Sequence, residues 1–400
     1  DRTGRASAGG VQLQNITSKG PATAFCEACD RHFCATGREF DCPRCGAGLH
    51  LCMEVQGWDS NWAVPDILTR DLAHVERVWG DAIKLLCGML RGLFIARPGH
   101  RLVVVDFSAI EAVVLACLAR CQWRIDVFGT HGKIYEQSGA DVSGVPLQEV
   151  LDYKQRHGAH HPARKLGKTM ELSCGYGGWI SAAKNFGADE FMSDDEIKAA
   201  ILKWRGSSPE IVAFWGGQFR WCGPGKWDYR PELHGLEGAA ISAVQTPGTW
   251  FMVNDIGYCT ANDILYCRLP SGRFLHYHRP RLTPAEDKLR RGPALQLSFE
   301  GYTSNASKGP VGWYRMETYG ARMCENVVQS VAADIQFEAL ARCEARGYPV
   351  VMHTHDEGVA EVPVVVGSAD EMSAIMAERP AWASWWPIRA AGNECWRYGK

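Results

Sequence analysis

Apolar stretches of this chain alternate with short polar segments, and two of the apolar stretches carry carboxylates at a strand end. One is a continuous apolar run that reaches Asp106, which predicts a buried strand with a carboxylate at its end. The other, residues 351–362, has β-branched apolar residues on both sides of a charged tip, and this pattern predicts a β-hairpin. The predicted turn holds His355, Asp356 and Glu357. If the two strands are neighbours in one sheet, Asp106 and Asp356 converge.

The same carboxylates have ordinary structural interpretations. Most adjacent Asp and Glu residues in turns are simply solvated. Ser108 and Glu111 have the spacing of a capping box before an apolar helix that runs to about Ala119, so Glu111 could satisfy the helix N-terminus. Carboxylates that meet at one sheet edge repel each other unless a cation lies between them. The residues alone therefore leave both a metal site and a solvated turn open.

A helix predicted from Ala163 carries an ordered set of side chains. Arg164, Lys168, Leu172 and Tyr176 recur at steps of four residues, which places them along one drifting helix face. The two cations could hold phosphate oxygens, and the tyrosine could stack on a base. The alternative is a solvated cationic stripe next to a core tyrosine.

The longest predicted helix covers residues 318–346 and ends before Gly347, which suits a helix C-terminus. Arg322, Asn326 and Gln329 follow one another along it at i, i+4 and i+7. Donors aligned in this way match the acceptors of a DNA minor groove, which look alike for every base pair. The alternative is an exposed polar stripe.

Two Cys-x-x-Cys knuckles stand close together near the start of the chain. Each knuckle aims two thiolates at one ion, so Cys26, Cys29, Cys42 and Cys45 predict a structural Zn²⁺ site. An iron–sulfur or redox site, or unpaired thiols, are the alternatives. Further potential ligands lie nearby: His32, Cys34, His50 and Cys52.

Composition restricts the classes of function without choosing one. The 400 residues suffice for one large or two to three smaller domains. The formal net charge of −2 gives no overall basic signature, so nucleic acid would have to be held by local patches. The basic residues from Arg279 to Arg291 could follow a phosphate backbone or simply cover the surface. No apolar run reaches the roughly 18 residues of a membrane span.

Two further features concern the cell compartment and the chain start. Many single cysteines fit a reducing cytoplasm better than a disulfide scaffold. The chain begins at Asp1, inside what reads as a working segment, so we expect a fragment or a trimmed chain. Residues 66–96 have the apolar spacing of helices.

Five segments, in order, resemble motifs of family A (polymerase-I-like) DNA polymerases, most closely those of the phage-type branch. They are a primer–template segment with Arg5, Gln14 and Asn15, motif A at residues 105–111, motif B at 164–176, a minor-groove helix with Arg322, Asn326 and Gln329, and motif C at 355–357. The resemblance covers nearly all of the chain except the zinc knuckles, which look like an insertion.

The resemblance implies an α+β fold with a right-hand palm of antiparallel sheet and helices, helical fingers and a small zinc-ribbon insertion. The implied domains are a primer–template-binding palm segment (1–20), the zinc ribbon (21–55), palm with motif A (56–150), fingers with motif B (151–262), and palm with the minor-groove helix and motif C (263–400).

The implied reaction is DNA-templated transfer of dNMP to a primer 3′-hydroxyl, with two Mg²⁺ per site. Asp106, Asp356 and the backbone of Phe107 would bind Mg²⁺, with Glu357 as an auxiliary catalytic carboxylate. The residues that would contact dNTP are Arg164, Lys168, Leu172, Tyr176 and Glu111, the last as a steric gate against a ribose 2′-hydroxyl. The residues that would contact primer–template are Arg5, Gln14, Asn15, Arg322, Asn326, Gln329 and His355.

The chain departs from the family pattern at three places. Leu172 stands where many members have an aromatic residue, which affects sugar discrimination. Val113 replaces an arginine common in motif A, so a supporting salt bridge is missing. No thumb or exonuclease segment precedes Thr3, so we expect no proofreading in this chain.

Two other functions compete with a DNA polymerase. A single-subunit RNA polymerase is disfavoured by Glu111, because that fold usually lacks a carboxylate gate. A non-catalytic, degenerate primer–template-binding polymerase is disfavoured by the intact set of Asp106, Lys168 and Asp356. The expected partners are primer–template DNA, dNTPs and replication proteins, with no membrane partner. The expected location is the cytoplasm, which is that of the host if a phage encodes the chain.

Overall fold

The computed structural model describes residues 21–35, 41–48, 52–55, 59–216, 219–223, 226–229, 235–286, 293–303 and 311–398. The predicted primer–template segment with Arg5, Gln14 and Asn15 lies outside these residues, as does His50.

The α-helices of the described residues are α1 (Val64–Ile67), α2 (Leu72–Trp79), α3 (Ala82–Met89), α4 (Ile110–Ala119), α5 (Gln122–Gly129), α6 (Ile134–Ser143), α7 (Leu147–His157), α8 (Pro162–Cys174), α9 (Ile180–Asn185), α10 (Asp194–Ser207), α11 (Pro209–Trp215), α12 (Gly235–Gln245), α13 (Gly320–Ala345) and α14 (Ala369–Met376). The strands are β1 (Thr23–Cys26), β2 (Arg31–Cys34), β3 (Cys52–Val55), β4 (His100–Phe107), β5 (Phe219–Gly223), β6 (Lys226–Tyr229), β7 (Phe251–Val253), β8 (Ile256–Ala261), β9 (Ile264–Arg268), β10 (Phe274–Glu286), β11 (Pro293–Thr303), β12 (Gly312–Thr318), β13 (Val350–Thr354), β14 (Glu357–Pro363) and β15 (Ala390–Cys395).

The strands form separate sheets, which confirms the α+β class. A four-stranded sheet has the order β13-β14-β4-β15, and a six-stranded sheet has the order β12-β11-β10-β9-β8-β7. Strands β1, β2 and β3 form the small antiparallel sheet of the ribbon, and β5 pairs with β6. Among the described helices, none is both long enough and apolar enough to cross a membrane.

The chain folds as two compact units. Among the described residues, unit 1 consists of those within Phe107–Ala341 and Met376–Ala390, and unit 2 of those within Ala6–Asp106, Arg342–Ile375 and Ala391–Lys400. The predicted domain boundary between residues 262 and 263 falls in the turn between β8 and β9.

The core of unit 2 is built around β4. The residues from Leu102 to Val105 are at most 4% exposed, as expected for a strand that is covered on both faces. On one face, Leu102 and Val104 pack with Val359 and Tyr398. The continuous apolar run in the sequence thus corresponds to a buried central strand.

The ribbon of unit 2 packs on α2 through a buried carboxylate. Asp66 is 5% exposed and accepts hydrogen bonds from Arg44 of the ribbon and from Nε1 of Trp79 at 2.8 Å. His74 lies 2.8 Å from the same carboxylate. Phe33 of the ribbon and Trp79 belong to one core cluster, so apolar packing and the Asp66 hydrogen bonds together fix the ribbon.

The apolar spacing in residues 66–96 corresponds to short helices, α2 and α3, but several of the apolar side chains in this segment are exposed. Ile83 and Leu93 are 75% and 69% exposed, whereas Val75 and Leu85 are buried. Periodicity gave the helices correctly and could not tell which face packs.

Unit 1 contains regular structure in a region whose Gly-rich sequence does not predict it. Residues 223–262, which look irregular and Gly-rich in the sequence, include α12, β7 and β8. The sequence from Tyr266 to Tyr277, with its Pro-Ser-Gly turn, predicts a hairpin, and this hairpin is present as β9 and β10. Helix α13 is fixed near this sheet by Arg273, which donates to Asp334 at 2.6 Å and to the carbonyl of Ser330 at 2.8 Å.

Candidate active site

Three carboxylates lie at one edge of the four-stranded sheet in unit 2. Strands β14 and β4 are antiparallel neighbours, and Glu357 is directly opposite Asp106. Strands β13 and β14 are joined by a tight turn in which Thr354 pairs with Glu357, so His355 and Asp356 form the tip. His355 has a φ of 43°, in the left-handed region that such turns require. The two carboxylate-bearing strands are therefore neighbours in one sheet, which is the condition under which Asp106 and Asp356 converge.

The three carboxylates have different surroundings. Asp106 and Asp356 are half-buried, whereas Glu357 is 2% exposed. Glu357 was predicted at the turn, but it is the first residue of β14. Its carboxylate accepts a hydrogen bond from the hydroxyl of Tyr398. Burial, reinforced by this carboxylate, raises the pKa of Tyr398 to about 12, so the phenol remains a donor at neutral pH.

Tyr398 holds the Glu357 carboxylate in place, a role that the sequence does not indicate. Its ring lies under the guanidinium of Arg91, 5.2 Å from the ring centroid, and edge-on to Phe94. These contacts fix the phenol that orients Glu357. No local pattern could have shown this, because Tyr398 and Glu357 are 41 positions apart in the sequence.

The donor set of this edge suits a hard divalent cation. Asp106, Asp356 and Glu357 offer carboxylate oxygens, and Phe107 adds a backbone carbonyl next to Asp106 in the sequence. Oxygen-only ligands of this type are those that Mg²⁺ prefers.

The capping-box interpretation of Glu111 is wrong. Helix α4 begins at Ile110, and its N-cap is Ala109, which has a φ of 51° and makes no side-chain cap. Glu111 instead accepts a hydrogen bond from the hydroxyl of Tyr176 at 2.9 Å. Burial, with the Glu111 charge as a second cause, raises the pKa of Tyr176 well above its usual value. Glu111 is therefore held by a tyrosine that stays protonated.

Helix α8 presents the predicted cations in unequal environments. Arg164 is half-buried, lies over the ring of Tyr135 and donates to Glu136 of α6 at 2.7 Å. Lys168 is exposed, and Leu172 is 42% exposed. Tyr176 lies beyond the end of the helix. The side chains from Arg164 to Leu172 do share a helix face, as their spacing predicts.

Two glycines allow α8 to lie against α6 at backbone contact. A Cβ added to Gly167 would come within 2.0 Å of the carbonyl oxygen of Tyr135 and 2.4 Å of the nitrogen of Gly139. A Cβ on Gly139 would come within 2.1 Å of the carbonyl oxygen of Ala163. Since no side chain fits between the two backbones, the glycine between Arg164 and Lys168 is required by packing.

A buried ion pair holds the C-terminal part of α8. Arg124 of α5 is 2% exposed and makes two hydrogen bonds to Glu171, at 2.6 and 2.9 Å. The indole nitrogen of Trp204 donates to the same carboxylate at 2.7 Å, and Ser208 accepts from Arg124. Because Glu171 is adjacent to Leu172, this network fixes the rotation of α8 about its own axis. No local sequence pattern identifies these residues.

The predicted polar line on α13 is present in unit 1. Arg322 is exposed, and Asn326 and Gln329 are half-buried. Asn326 donates to the hydroxyl of Tyr277 at 3.2 Å, and Gln329 donates to Glu325 at 3.2 Å. The three side chains thus remain accessible in part while their positions are fixed by neighbours.

The four predicted zinc ligands converge in the ribbon. The sulfur atoms of Cys26, Cys29, Cys42 and Cys45 all lie within 4.8 Å of one another. Burial raises the pKa of Cys29 to about 12, and the hydrogen bond with the neighbouring Cys42 thiol is the second cause. A metal bound here must displace that proton, so its affinity should rise with pH.

Sequence comparison places the chain among known proteins. It is 34% identical over 319 residues to the DNA polymerase of Bacillus phage SP02, a match that covers 80% of this chain and 44% of that protein. It is 25% identical over 165 residues to DNA polymerase I of Pseudomonas aeruginosa, covering 39% of this chain and 17% of that enzyme. The chain is thus similar in sequence to polymerase-I-like DNA polymerases. The phage relative fits the phage-type branch of this family.

The chain spans less than half the length of these curated relatives. Among solved structures, it is similar to the POL domain of Pol1 from M. smegmatis in complex with DNA primer-template and dNTP. The TM-score is 0.46 and the identity 16%, over 81% of this chain and 42% of that chain. No protein-family model matches the sequence.

Proposed function

We propose that this chain is the catalytic region of a DNA-templated DNA polymerase, which transfers dNMP from a dNTP to a primer 3′-hydroxyl. The register of β4 and β14 carries the proposal. Glu357 lies opposite Asp106 and directly follows Asp356, so three carboxylates share one sheet edge in a chain homologous to DNA polymerases.

Asp106, Asp356 and the backbone carbonyl of Phe107 would hold two Mg²⁺ ions, with Glu357 as an auxiliary carboxylate. Bound Mg²⁺ would activate the primer 3′-hydroxyl and neutralise charge on the triphosphate. Glu357 keeps its orientation through the Tyr398 hydroxyl. Its carboxylate would therefore add negative charge beside the two aspartates while its own position stays fixed.

The dNTP would be bound by α8. Lys168, which is exposed, would contact the triphosphate as a mobile point charge. Arg164, which Glu136 holds at 2.7 Å, would present a guanidinium of fixed direction. Leu172 would offer an apolar surface to the sugar. Tyr176 would hold Glu111, and Glu111 would exclude a 2′-hydroxyl.

The remaining predicted contacts concern DNA. Arg322, Asn326 and Gln329 would read the minor groove as a line of donors, and His355 would contact the primer terminus. We also retain Arg5, Gln14 and Asn15 as primer–template contacts. In domain terms, residues 1–20, 56–150 and 263–400 would form the palm and residues 151–262 the fingers. The proposed partners are dNTPs, primer–template DNA and replication proteins, and the proposed location is the cytoplasm.

The proposal is tested by single-nucleotide primer extension. The zinc-loaded chain is given a labelled primer on four templates that differ only in the first unpaired base, with Mg²⁺ and one nucleotide at a time. We expect each template to direct incorporation of the complementary dNTP. We expect the corresponding rNTP to be incorporated poorly. Extension with rNTPs as the better substrate would identify an RNA polymerase. No extension in any lane, with DNA still bound, would identify a non-catalytic binder.

Glu111→Ala is expected to weaken sugar selection. Removing the carboxylate opens the space that a 2′-hydroxyl would occupy, so the dNTP/rNTP ratio of kcat/KM should fall by about 10-fold or more. The measurement is steady-state incorporation of dCTP and CTP opposite one template guanine. An unchanged ratio would exclude the gate role.

Tyr176→Phe separates the gate from the residue that holds it. The substitution keeps the ring and removes the hydrogen bond to Glu111, so selectivity should fall in the same direction but less than in Glu111→Ala. A Tyr176→Phe enzyme with wild-type selectivity would mean that Glu111 holds its position without this bond.

The ribbon is proposed to bind one structural Zn²⁺ through its four clustered cysteines. Cys45→Ser should release the zinc and lower the melting temperature, because the energy of metal binding is also folding energy. Cys34→Ser is the matched control, since Cys34 lies in the same ribbon outside the cluster. Zinc content by mass spectrometry and thermal melting are the readouts. Equal zinc content in the two variants would contradict the ligand assignment.

A further inference from the structure

One face of the six-stranded sheet in unit 1 carries a line of exposed rings. Along β10, Phe274, His276 and His278 are exposed, and the residues that alternate with them, Leu275 and Tyr277, are each 1% exposed. The strand is thus apolar on one face and aromatic but solvent-exposed on the other. Aromatic side chains at such positions do not serve the core.

The rings on this face form a continuous contact series across strands β9 to β12. In order they are Phe274, Tyr266, His276, His278, Trp313 and Tyr302, and successive ring centroids lie 5.3–6.5 Å apart. We call these six side chains the ring ladder. Trp313 and Tyr302 are 62% and 55% exposed, so the ladder is most open at its β11–β12 end.

Cationic side chains border the ring ladder. Arg268 is exposed and lies over the ring of Trp250 at 5.5 Å, next to Phe274. Arg281, also exposed, follows a bulge in β10 and pairs in register with Ser298. Two further arginines and one carboxylate complete the border: Arg279, Arg315 and Glu300, with both arginines ion-paired to Glu300.

The ring ladder is separate from the polar line of α13. The buried face of the sheet includes Leu265, Leu275 and Tyr277, and the hydroxyl of Tyr277 accepts the hydrogen bond from Asn326 of α13. Helix α13 therefore packs on the face opposite the ladder. A strand bound on the ladder would not use the proposed minor-groove contacts.

We propose that the ring ladder binds single-stranded DNA, with bases stacked on the rings and phosphates held by the bordering arginines. Exposed rings bordered by cations match a strand that combines planar bases with a polyanionic backbone. A purely apolar protein partner would leave the imidazoles and guanidiniums without matching groups. The inference goes beyond the proposed polymerase activity, because stacking requires neither a primer end nor a metal.

The test is fluorescence anisotropy with a labelled oligothymidylate of about 16 nucleotides, a length in the range of known stacking sites. Thymidylate forms no duplex, and the assay contains no primer, Mg²⁺ or dNTP, so its result is independent of whether the chain extends primers. A duplex of equal length is measured in parallel. Trp313→Ala and Tyr302→Ala are made singly and together, and both side chains are exposed enough to be removed without loss of core packing.

We expect each substitution to weaken oligothymidylate binding about 5-fold or more, and the pair to weaken it further. Phe337→Ala is the matched control, because Phe337 is 46% exposed on α13 in the same unit and lies outside the ladder. The proposal is overturned if the double variant binds oligothymidylate as the wild type does, or if Phe337→Ala has the same effect as the ladder variants. It is also overturned if the double variant loses as much affinity for the duplex, which is expected to bind at α13, as for oligothymidylate. A ladder variant that changes the oligomeric state instead of DNA affinity would assign the face to a second copy of the chain.

Discussion

Asp356→Asn is expected to lower the rate of nucleotide incorporation by about 1,000-fold or more. Asparagine keeps the size of the side chain and suits a turn, so the tip between β13 and β14 should be retained. It lacks the negative charge that a divalent cation needs at this sheet edge. The reaction should be measured under single-turnover conditions with saturating dNTP, so that chemistry and not product release is compared.

Asp370→Asn is the control for that experiment. It makes the same chemical change at an exposed position at the start of α14 in unit 2. We expect wild-type incorporation from it and similar melting temperatures for both variants. If Asp356→Asn retains more than about a tenth of the wild-type rate, the carboxylate edge is not the reaction centre.

Glu171→Ala is expected to destabilise the chain by about 3–5 kcal/mol. Truncation leaves the Arg124 guanidinium buried without its carboxylate partner and removes the acceptor of the Trp204 indole. Because Glu171 lies on α8, its loss should also weaken dNTP binding. Urea unfolding followed by tryptophan fluorescence measures the stability change, and the KM for dNTP measures the functional one.

An exposed ion pair supplies the comparison. Arg120 and Asp255 are 2.8 Å apart, but their side chains are 47% and 40% exposed, so Asp255→Ala should cost less than about 1 kcal/mol. Replacing both Arg124 and Glu171 with leucine should recover part of the stability that Glu171→Ala loses, since no buried charge is left unpaired. Equal losses from Glu171→Ala and Asp255→Ala would show that the buried network does not hold α8.

The parts of the site that follow from local pattern could be predicted from sequence. The apolar run before Asp106 and the charged tip at Asp356 are periodicity signals, and each corresponds to a strand end in the structure. The cysteine knuckles have a spacing that is rarely accidental, and their sulfur atoms do converge. In each case the chemistry is contained within a few consecutive residues.

The parts that depend on distant pairing could not be predicted. Arg124 and Glu171 are 47 positions apart, and neither side chain departs from an ordinary helical pattern. Ser108 has the right spacing for a cap, but the left-handed φ of Ala109 moves the helix start, and Tyr176 takes the Glu111 carboxylate. Both the Arg124–Glu171 ion pair and the hydrogen bond of Glu111 thus depend on tertiary contacts, which local sequence does not show.

In unit 1, glycine-rich composition hides a helix and strands from prediction. Glycine normally weakens helices and strands, which is why residues 223–262 look irregular in the sequence. Yet Gly235 and Gly257 have close neighbours: an added Cβ would come within 2.3 Å of the carbonyl oxygen of Ala213 or 2.8 Å of the sulfur of Met252. These glycines mark close packing of α12 and β8, a reason that composition alone does not reveal.

The central claim, that Asp106 and Asp356 form the metal centre of a polymerase, is tested most directly by counting bound Mn²⁺ with electron paramagnetic resonance. The zinc-loaded chain is titrated in complex with a dideoxy-terminated primer–template and the complementary dNTP, so that the reaction cannot proceed. We expect about two Mn²⁺ per complex for the wild type and fewer for Asp106→Asn and Asp356→Asn, with DNA still bound. The same Mn²⁺ count in all three proteins would place the metal elsewhere and contradict the account.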